Sequence, residues 1–441
     1  MKILLVQIPT SHLGAKERVY PLGLSRLSSL VPQGNIKKTL DMNLSFDPWM
    51  DLYENLIAER PDIIALSFRN MDPLAGHHSS YFSSLKTAAE LSKRILPQAR
   101  VIVGGPAFSL FAERLLAEIP EIDAGIKGEA ELSFAELING SDPSSLPGMV
   151  FRKNHKIISV SSTKKIGIDE IPSIDTDSFN PRDYSKDNLY VAAMGIETKR
   201  GCDLNCGYCI YPCLGGGKIR LRSPKKVVDE IELLQKEYGI EIFHFTDSVV
   251  NRPASHFEAI CHEIISRKIK IMWTGFFRED TFTLKNATLA QKSGLTACYF
   301  SADALTNHGL ELLNKKLTKK IILQASKISS EINLLTMCHF LVNLPFETSE
   351  HHSEAEEMLD QLLDIHACTG NLGAVIFNTI RLYPGAPLTT KLIKTGLLNQ
   401  DTDLLFPVYF NPVESSHILH RFEAKCHAAG IFSRINHDES G

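Results

Sequence analysis

No stretch of the 441 residues approaches the roughly 18 consecutive apolar residues that a membrane helix requires. Nor does one charge dominate: 47 Lys and Arg stand against 51 Asp and Glu, a formal net charge of −4. That balance gives no electrostatic ground for nucleic acid or an anionic membrane as a partner. The opening Met1–Pro9 has too short an apolar run for a signal peptide and no small-residue cleavage site. The cytoplasm is therefore the expected location. Repeats of solenoid length and low-complexity segments are missing too, which excludes an array or a disordered chain. What is present is a globular composition, 44% hydrophobic and 22% charged, at a length that implies two or three domains.

The first 140 residues alternate apolar strands with helices. Lys2–Gln7, Lys37–Leu40, Asp62–Ser67, Val101–Val103 and Ala124–Lys127 read as strands. Tyr20–Val31, Pro48–Arg60, Tyr81–Leu96, Phe108–Ile119 and a segment from Ala130 read as helices. Strands this apolar, each followed by a helix, predict a doubly wound, Rossmann-like α/β domain with its ligand beyond the carboxyl strand ends. Between 141 and 190 the pattern breaks. Gly148–Ser162 predicts a hairpin turning at Lys153-Asn154-His155, and Pro172–Tyr184 has a linker's composition. From 191 to 395 six longer βα units predict a partial (β/α)6 TIM-type barrel, with its site on the carboxyl strand ends. Residues 396–441 read as a small C-terminal extension that packs or acts as a lid.

Nine cysteines in a reducing compartment are core residues or ligands rather than disulfides. Cys261, Cys298, Cys338, Cys368 and Cys426 are dispersed singly and read as core. The other four crowd into Cys202-Asp-Leu-Asn-Cys206-Gly-Tyr-Cys209-Ile-Tyr-Pro-Cys213. Three thiolates at CxxxCxxC spacing can wrap one cube of iron and sulfide and leave the fourth iron open for chemistry. The alternative is a closed zinc site with Cys213 as fourth ligand, but no second short-spaced pair accompanies it. Cys213 reads as a spectator. Gly215-Gly-Gly217-Lys218 lacks the spacing of a phosphate loop and reads as a flexible segment.

The cysteine segment resembles the radical S-adenosylmethionine superfamily, over about residues 190–390. The resemblance implies a 4Fe–4S cluster on Cys202, Cys206 and Cys209. Its open iron would chelate S-adenosylmethionine, and an electron from a donor such as flavodoxin or ferredoxin would yield a 5′-deoxyadenosyl radical. Tyr208 matches the aromatic position near the adenine. Thr246 and Asp247 end the second strand, where the family holds the methionine end. Ser301 and Asp303 replace the usual Gly and Glu near the ribose. Asn343 and Phe346 stand where glycines are usual.

The order α/β domain, linker, CxxxCxxC barrel further resembles the cobalamin-binding branch, class B methylase-like. Gln7, Arg69, Asn70, Gly104, Gly105, Gly128 and Glu129 are its candidate cobalamin contacts. No Asp-x-His-x-x-Gly lies in the first domain; the nearest match, Asp364-Ile-His366 with Gly370, is displaced and sits in the barrel. A histidine-ligated cobalt is therefore not expected. Arg69 either lies under the cobalt without ligating it or pairs with Asp72 to shape a loop, and the domain can also serve as a bare scaffold.

The resemblance implies methylation of an unactivated carbon of a small molecule through methylcobalamin, with the two domains facing each other across the barrel mouth. A radical rearrangement, cyclisation or oxidation without net methylation stays open. A non-enzymatic cobalamin or iron–sulfur sensor would carry an output module, and a tRNA-modifying enzyme an RNA-binding one; neither is evident. Tyr383, Trp273, Phe276, Phe277 and Arg278 are candidate pocket residues, as readily core as lining.

Overall fold

The computed structural model describes residues 1–9, 18–73, 79–162, 164–185, 192–412 and 416–436. The chain divides into two compact units, one ending at Leu189 and the other starting at Tyr190.

In the first unit, strands β1 (Lys2–Gln7), β2 (Ile36–Asp41), β3 (Ile63–Ser67), β4 (Arg100–Gly104) and β5 (Ala124–Ile126) run parallel in the order β2-β1-β3-β4-β5. Helices α1 (Leu22–Ser29), α2 (Pro48–Glu59), α3 (Phe82–Ile95), α4 (Pro106–Glu118) and α5 (Glu131–Ile138) connect and cover them. Burial on both faces explains the unbroken apolar run Ile3–Val6. The strand order reverses between β1 and β3, which opens a crevice beyond their carboxyl ends. Gln7, Ser67 and Gly104 are register partners along that edge.

The hairpin β6 (Met149–Lys153) and β7 (Lys156–Ser159) extends this sheet antiparallel. Its turn is Asn154-His155, both at positive φ, matching the twist of a two-residue hairpin. The linker-like Pro172–Tyr184 is tied down rather than loose. Arg26 Nη1 donates to the Pro172 carbonyl at 2.7 Å, Ser25 Oγ accepts from Asp175 N at 2.8 Å, and Tyr184 donates to Asp41 Oδ2 at 2.7 Å. Its composition is that of a loop, but buried polar side chains on α1 and β2 supply partners for its backbone.

In the second unit, parallel strands β8 (Gly195–Ile196), β11 (Ile242–Phe245), β12 (Met272–Phe277), β13 (Leu295–Asp303), β14 (Leu335–Leu341), β15 (Leu372–Asn378) and β18 (Phe432–Asn436) form one sheet in that order. Two short antiparallel pairs flank it, β9 (Lys199–Arg200) with β10 (Arg220–Leu221) and β16 (Ile380–Arg381) with β17 (Tyr409–Phe410). Helices α6 (Tyr211–Gly215), α7 (Pro224–Tyr238), α8 (Ala254–Ser266), α9 (Leu284–Lys292), α10 (Asn307–Leu312), α11 (Lys319–Glu331), α12 (Ser349–Ala367), α13 (Pro387–Lys394) and α14 (Ser416–Ala428) complete the unit.

Two expectations change here. The C-terminal extension contributes a seventh strand, β18, paired with β15 from Ala374↔Phe432 to Asn378↔Asn436. The helix expected over 305–330 breaks into α10 and α11, because Asn314 and Lys316 take positive φ and Thr318 caps α11 through Ile321 N. The break turns Lys315 inward.

Candidate active site at the strand ends

The cysteine loop turns on its own bond from Cys209 N to the Cys206 carbonyl at 3.1 Å and is gripped by its neighbours. The β9–β10 pair closes its base, and Gly201 sits at φ +87 with the position of a Cβ only 2.2 Å from the Lys218 carbonyl. No side chain fits there. Cys202 N donates to the Gly216 carbonyl at 3.0 Å, Gly207 N to Leu313 at 2.7 Å, and Leu388 N to Gly207 at 2.8 Å. Asn314 Nδ2 donates to Asn205 at 2.7 Å. Gly215–Lys218, expected to be flexible, is thus the return arm that grips the loop.

Cys202 is buried, Cys206 and Cys209 are half-buried, and all three are free thiols. Burial pushes Cys206 up and Cys209 up to about 11, and the neighbouring cysteines add to both shifts. Lys315 and Arg278 act on Cys206 in the opposite sense. Three mutually interacting thiols beside two buried cations fit an iron–sulfur cluster, whose irons replace the thiol protons. Among the described residues, no three His, Cys, Asp or Glu side chains surround a single-ion site. Cys213 is exposed on α6. Of the dispersed cysteines four are buried, while Cys368 is exposed.

Beside the loop, Tyr208 donates its hydroxyl to Asp303 Oδ2. Lys315 Nζ donates to the same oxygen at 2.6 Å and to the Ser301 carbonyl at 2.7 Å. The two candidate cosubstrate residues Tyr208 and Asp303 are thereby joined, with Asp303 at positive φ. Lys315 was missed at the sequence level, since a lysine in Asn314-Lys-Lys316 carries no distinguishing signal.

Asp247 is committed to the protein. Its Oδ1 accepts from the amides of Thr198 and Lys199 at 3.0 and 3.2 Å, and its Oδ2 from Thr198 Oγ1 at 2.5 Å, with Lys199 Nζ at 3.7 Å. The side chain is fully buried, so it holds the strand that launches the cysteine loop. Thr246, exposed at the end of β11, bonds Ile196 through its amide at 2.9 Å. Asn343 and Phe346 both lie at positive φ, so the backbone keeps the shape that glycines favour. Asn343 is buried and donates to Asn411 Oδ1 at 2.6 Å. Arg278 is buried and bonds Asp280 and the Lys315 carbonyl.

The pocket candidates separate by strand face. Trp273 and Phe277 stack with each other and meet Phe257 of α8 edge-on, so they are core between sheet and helices. Phe276 points the other way, into the barrel. Tyr383 lies under the Arg381 guanidinium, 4.7 Å from ring centroid. His366 is buried on α12 and bonded to Asn371, a core position.

In the first unit the cobalamin candidates divide in the same manner. A Cβ on Gly104 would meet nothing closer than the Ile126 carbonyl at 3.8 Å, and one on Gly128 nothing closer than Ser162 at 3.8 Å. Those two strand-end positions are open and fit a bulky cofactor. Gly105, at φ +106, is filled instead by the Phe68 carbonyl, 2.5 Å from the Cβ position. Its role is close backbone packing. Gln7 is buried, its carbonyl accepting from Met42 N at 3.0 Å. Glu129 pairs with Lys165 at 3.1 Å. Asn70 is half-buried and Arg69 exposed. Burial raises Asp41, and the Arg69 charge opposes that shift.

The sequence profile of the Radical SAM superfamily matches residues 196–359, and that of the B12 binding domain residues 14–138. An uncharacterized methyltransferase of Pyrococcus horikoshii is 28% identical over 408 residues, covering 90% of this chain and 84% of that protein. The anaerobic magnesium-protoporphyrin IX monomethyl ester cyclase of Cereibacter sphaeroides is 28% identical over 323 residues, 70% of this chain and 50% of the cyclase. The chain therefore spans only half of the cyclase's length. Among solved structures, the radical S-adenosylmethionine methyltransferase TsrM from Kitasatospora setae, with tryptophan substrate and a SAM analogue bound, superposes with a TM-score of 0.79 at 20% identity. The match covers 97% of this chain and 89% of that one. The cobalamin-dependent radical enzyme OxsB superposes with a TM-score of 0.76 at 16% identity, covering 96% and 66%. No helix among the described residues is long and apolar enough to cross a membrane.

Proposed function

Because the chain is a radical S-adenosylmethionine protein with a B12 binding domain ahead of its radical domain, we propose that it methylates an unactivated carbon of a small molecule. One observation carries this reading: the second unit gathers three interacting thiols, Cys202, Cys206 and Cys209, on one loop, while the first has an open strand end at Gly104. The Pyrococcus relative and TsrM, both described as methyltransferases, support methyl transfer over the cyclisation named for the Cereibacter relative. When bound, the cluster supplies the electron that cleaves S-adenosylmethionine, and the corrinoid supplies the methyl donor.

The chain's own residues position and shield. Cys202, Cys206 and Cys209 would hold the cluster. Tyr208, Asp303 and Lys315 lock the loop against β13, and Asp247 anchors its leading strand. Ser301, near the end of β13, Thr246, just after β11, and Asn343, after β14, are the remaining candidate cosubstrate contacts. Arg69, exposed after β3, would contribute a positive charge beside bound cobalamin without ligating it. If so, Arg69→Ala alters the visible spectrum of bound cobalamin; an unchanged spectrum and unchanged turnover refute that role. A flavodoxin or ferredoxin serves as the electron donor.

The test is anaerobic expression with cobalamin supplied, followed by iron, sulfide and corrinoid analysis. About four iron and one corrinoid per chain, with a product heavier by one CH₂ unit, supports the proposal. A product of altered structure but no added CH₂ unit replaces methyl transfer by cyclisation or oxidation.

A further inference from the structure

The cysteine loop returns through an arm whose charge is one-sided. Between residues 204 and 228 the chain carries five cations, Lys218, Arg220, Arg222, Lys225 and Lys226, and no acid, in a protein of net charge −4. The arm touches the loop directly. The Gly216 carbonyl accepts from Cys202 N at 3.0 Å, and the Lys218 carbonyl fills the space beside Gly201. Buried Arg222 fixes the foot of the arm, donating to the Glu197 carbonyl at 2.6 Å and to Glu230 Oε2 at 3.0 Å, while its amide bonds the Thr198 carbonyl.

The acids nearest in sequence on either side are already engaged. Glu197 holds Arg200 at 2.9 Å, Asp203 holds Arg252 at 2.9 Å, Asp229 holds Arg267 at 2.6 Å and Glu230 holds Arg222. Lys218 and Lys225 are exposed and form no ion pair among the described residues. Arg220 is half-buried and Lys226 exposed. Two large apolar side chains of the same stretch, Tyr211 and Leu221, are exposed as well, and Tyr211 N lies 3.4 Å from Cys209 Sγ. A small apolar centre rimmed by uncompensated cations suits brief capture of an acidic protein. The charge steers and orients the encounter, and the limited apolar area lets the partner leave. A nucleic acid would be held weakly by so few phosphate contacts.

We propose that residues 217–226, with Tyr211, form the docking surface for an acidic one-electron carrier protein, steered by Lys218 and Lys225. Electron tunnelling falls steeply with distance, so a donor must approach the thiolates that hold the cluster. This arm meets Cys202 through Gly216, and Tyr211 meets Cys209. One electron leaves the reduced donor and is taken by the cluster; no bond, proton or group moves. The partner's role rests on the cluster of the proposed function and is independent of whether the product is methylated.

The test is equilibrium binding of a purified acidic flavodoxin to the full chain loaded with cluster and cobalamin, together with the rate at which that flavodoxin reduces the cluster. Binding should weaken about tenfold or more between roughly 25 and 250 mM salt. Lys218→Glu with Lys225→Glu should weaken it about tenfold or more at low salt and slow reduction by flavodoxin as much. Iron content should be unchanged, and dithionite, a small reductant that needs no docking, should reduce the cluster at the wild-type rate. Lys320→Glu with Lys327→Glu, the same charge change at exposed positions of α11, should leave flavodoxin binding unaltered. Should the glutamate pair on the arm not hold iron, Lys218→Gln with Lys225→Gln should weaken binding several-fold. No flavodoxin binding at low salt overturns the proposal. So does equal weakening by the α11 pair, or unchanged binding in the arm variants. Single-stranded RNA that binds more tightly than flavodoxin, and is lost in the arm variants, would assign the arm to nucleic acid instead. Iron content and product mass test the cluster and methyl transfer separately, so the readings fail independently.

Discussion

Lys315 and Asp303, both buried, form an ion pair at 2.6 Å that also receives the hydroxyl of Tyr208 from the cysteine loop. This contact joins a strand end to the loop across 95 residues of chain.

Breaking such a pair from one side leaves a buried, uncompensated charge, which costs about 3–5 kcal/mol. Lys315→Met is expected to destabilise the second unit by roughly that amount and to lower iron loading. Lys315→Met combined with Asp303→Asn should recover much of the stability, because neither charge is then stranded and Asn tolerates positive φ and still accepts from Tyr208. Denaturant unfolding of both variants checks this, and a double variant no more stable than the single one would sink the account.

Loss of any one of Cys202, Cys206 or Cys209 to alanine should abolish cluster loading, seen as loss of visible absorbance and iron, whereas Cys213→Ala should keep both. Cys213 is exposed on α6, outside the group of interacting thiols. Cluster loss in Cys213→Ala would reinstate it as a ligand.

Two adjacent glycines should behave differently. Gly105→Ala forces a Cβ within 2.5 Å of the Phe68 carbonyl at φ +106, so the first unit should lose about 2 kcal/mol or more of stability. Gly104→Ala meets only a carbonyl at 3.8 Å. It should fold normally and bind corrinoid less well. Melting curves paired with corrinoid titration separate the two effects.

Asp175 gives the first unit a defined acid response. Burial raises its pKa, but bonds from Lys37, Ser28 and Ser178 outweigh that and hold it at about 2, below the usual 3.8. A depressed folded-state pKa stabilises above the unfolded value and loses that contribution as pH falls through the folded one. The stability gap between the wild type and Asp175→Asn should thus be constant above about pH 5 and shrink from pH 4 towards 2. A gap that does not change with pH would show that Asp175 is not held by these bonds.

Much of this architecture was legible from local pattern. Unbroken apolar strands such as Ile3–Val6 imply a sheet covered on both faces, and the Asn154-His155 turn announced its hairpin. CxxxCxxC spacing specified the metal chemistry, because three ligands within eight residues have little freedom to bind anything but one compact centre. The partners of polar side chains were not legible. Asp247 had the position of a ligand-binding carboxylate, yet its acceptors are taken up by Thr198 and Lys199, 49 and 48 residues away.

The sequence by itself determined the two α/β units, the cysteine loop and the order in which they follow, since hydrophobic periodicity and ligand spacing are local quantities. Only the tertiary structure decided that β18 completes the barrel sheet and that residues 172–184 dock on α1. It alone brought Lys315 beneath Tyr208. Those pairings depend on where each strand ends in space relative to chain dozens of residues distant. No local pattern records that distance.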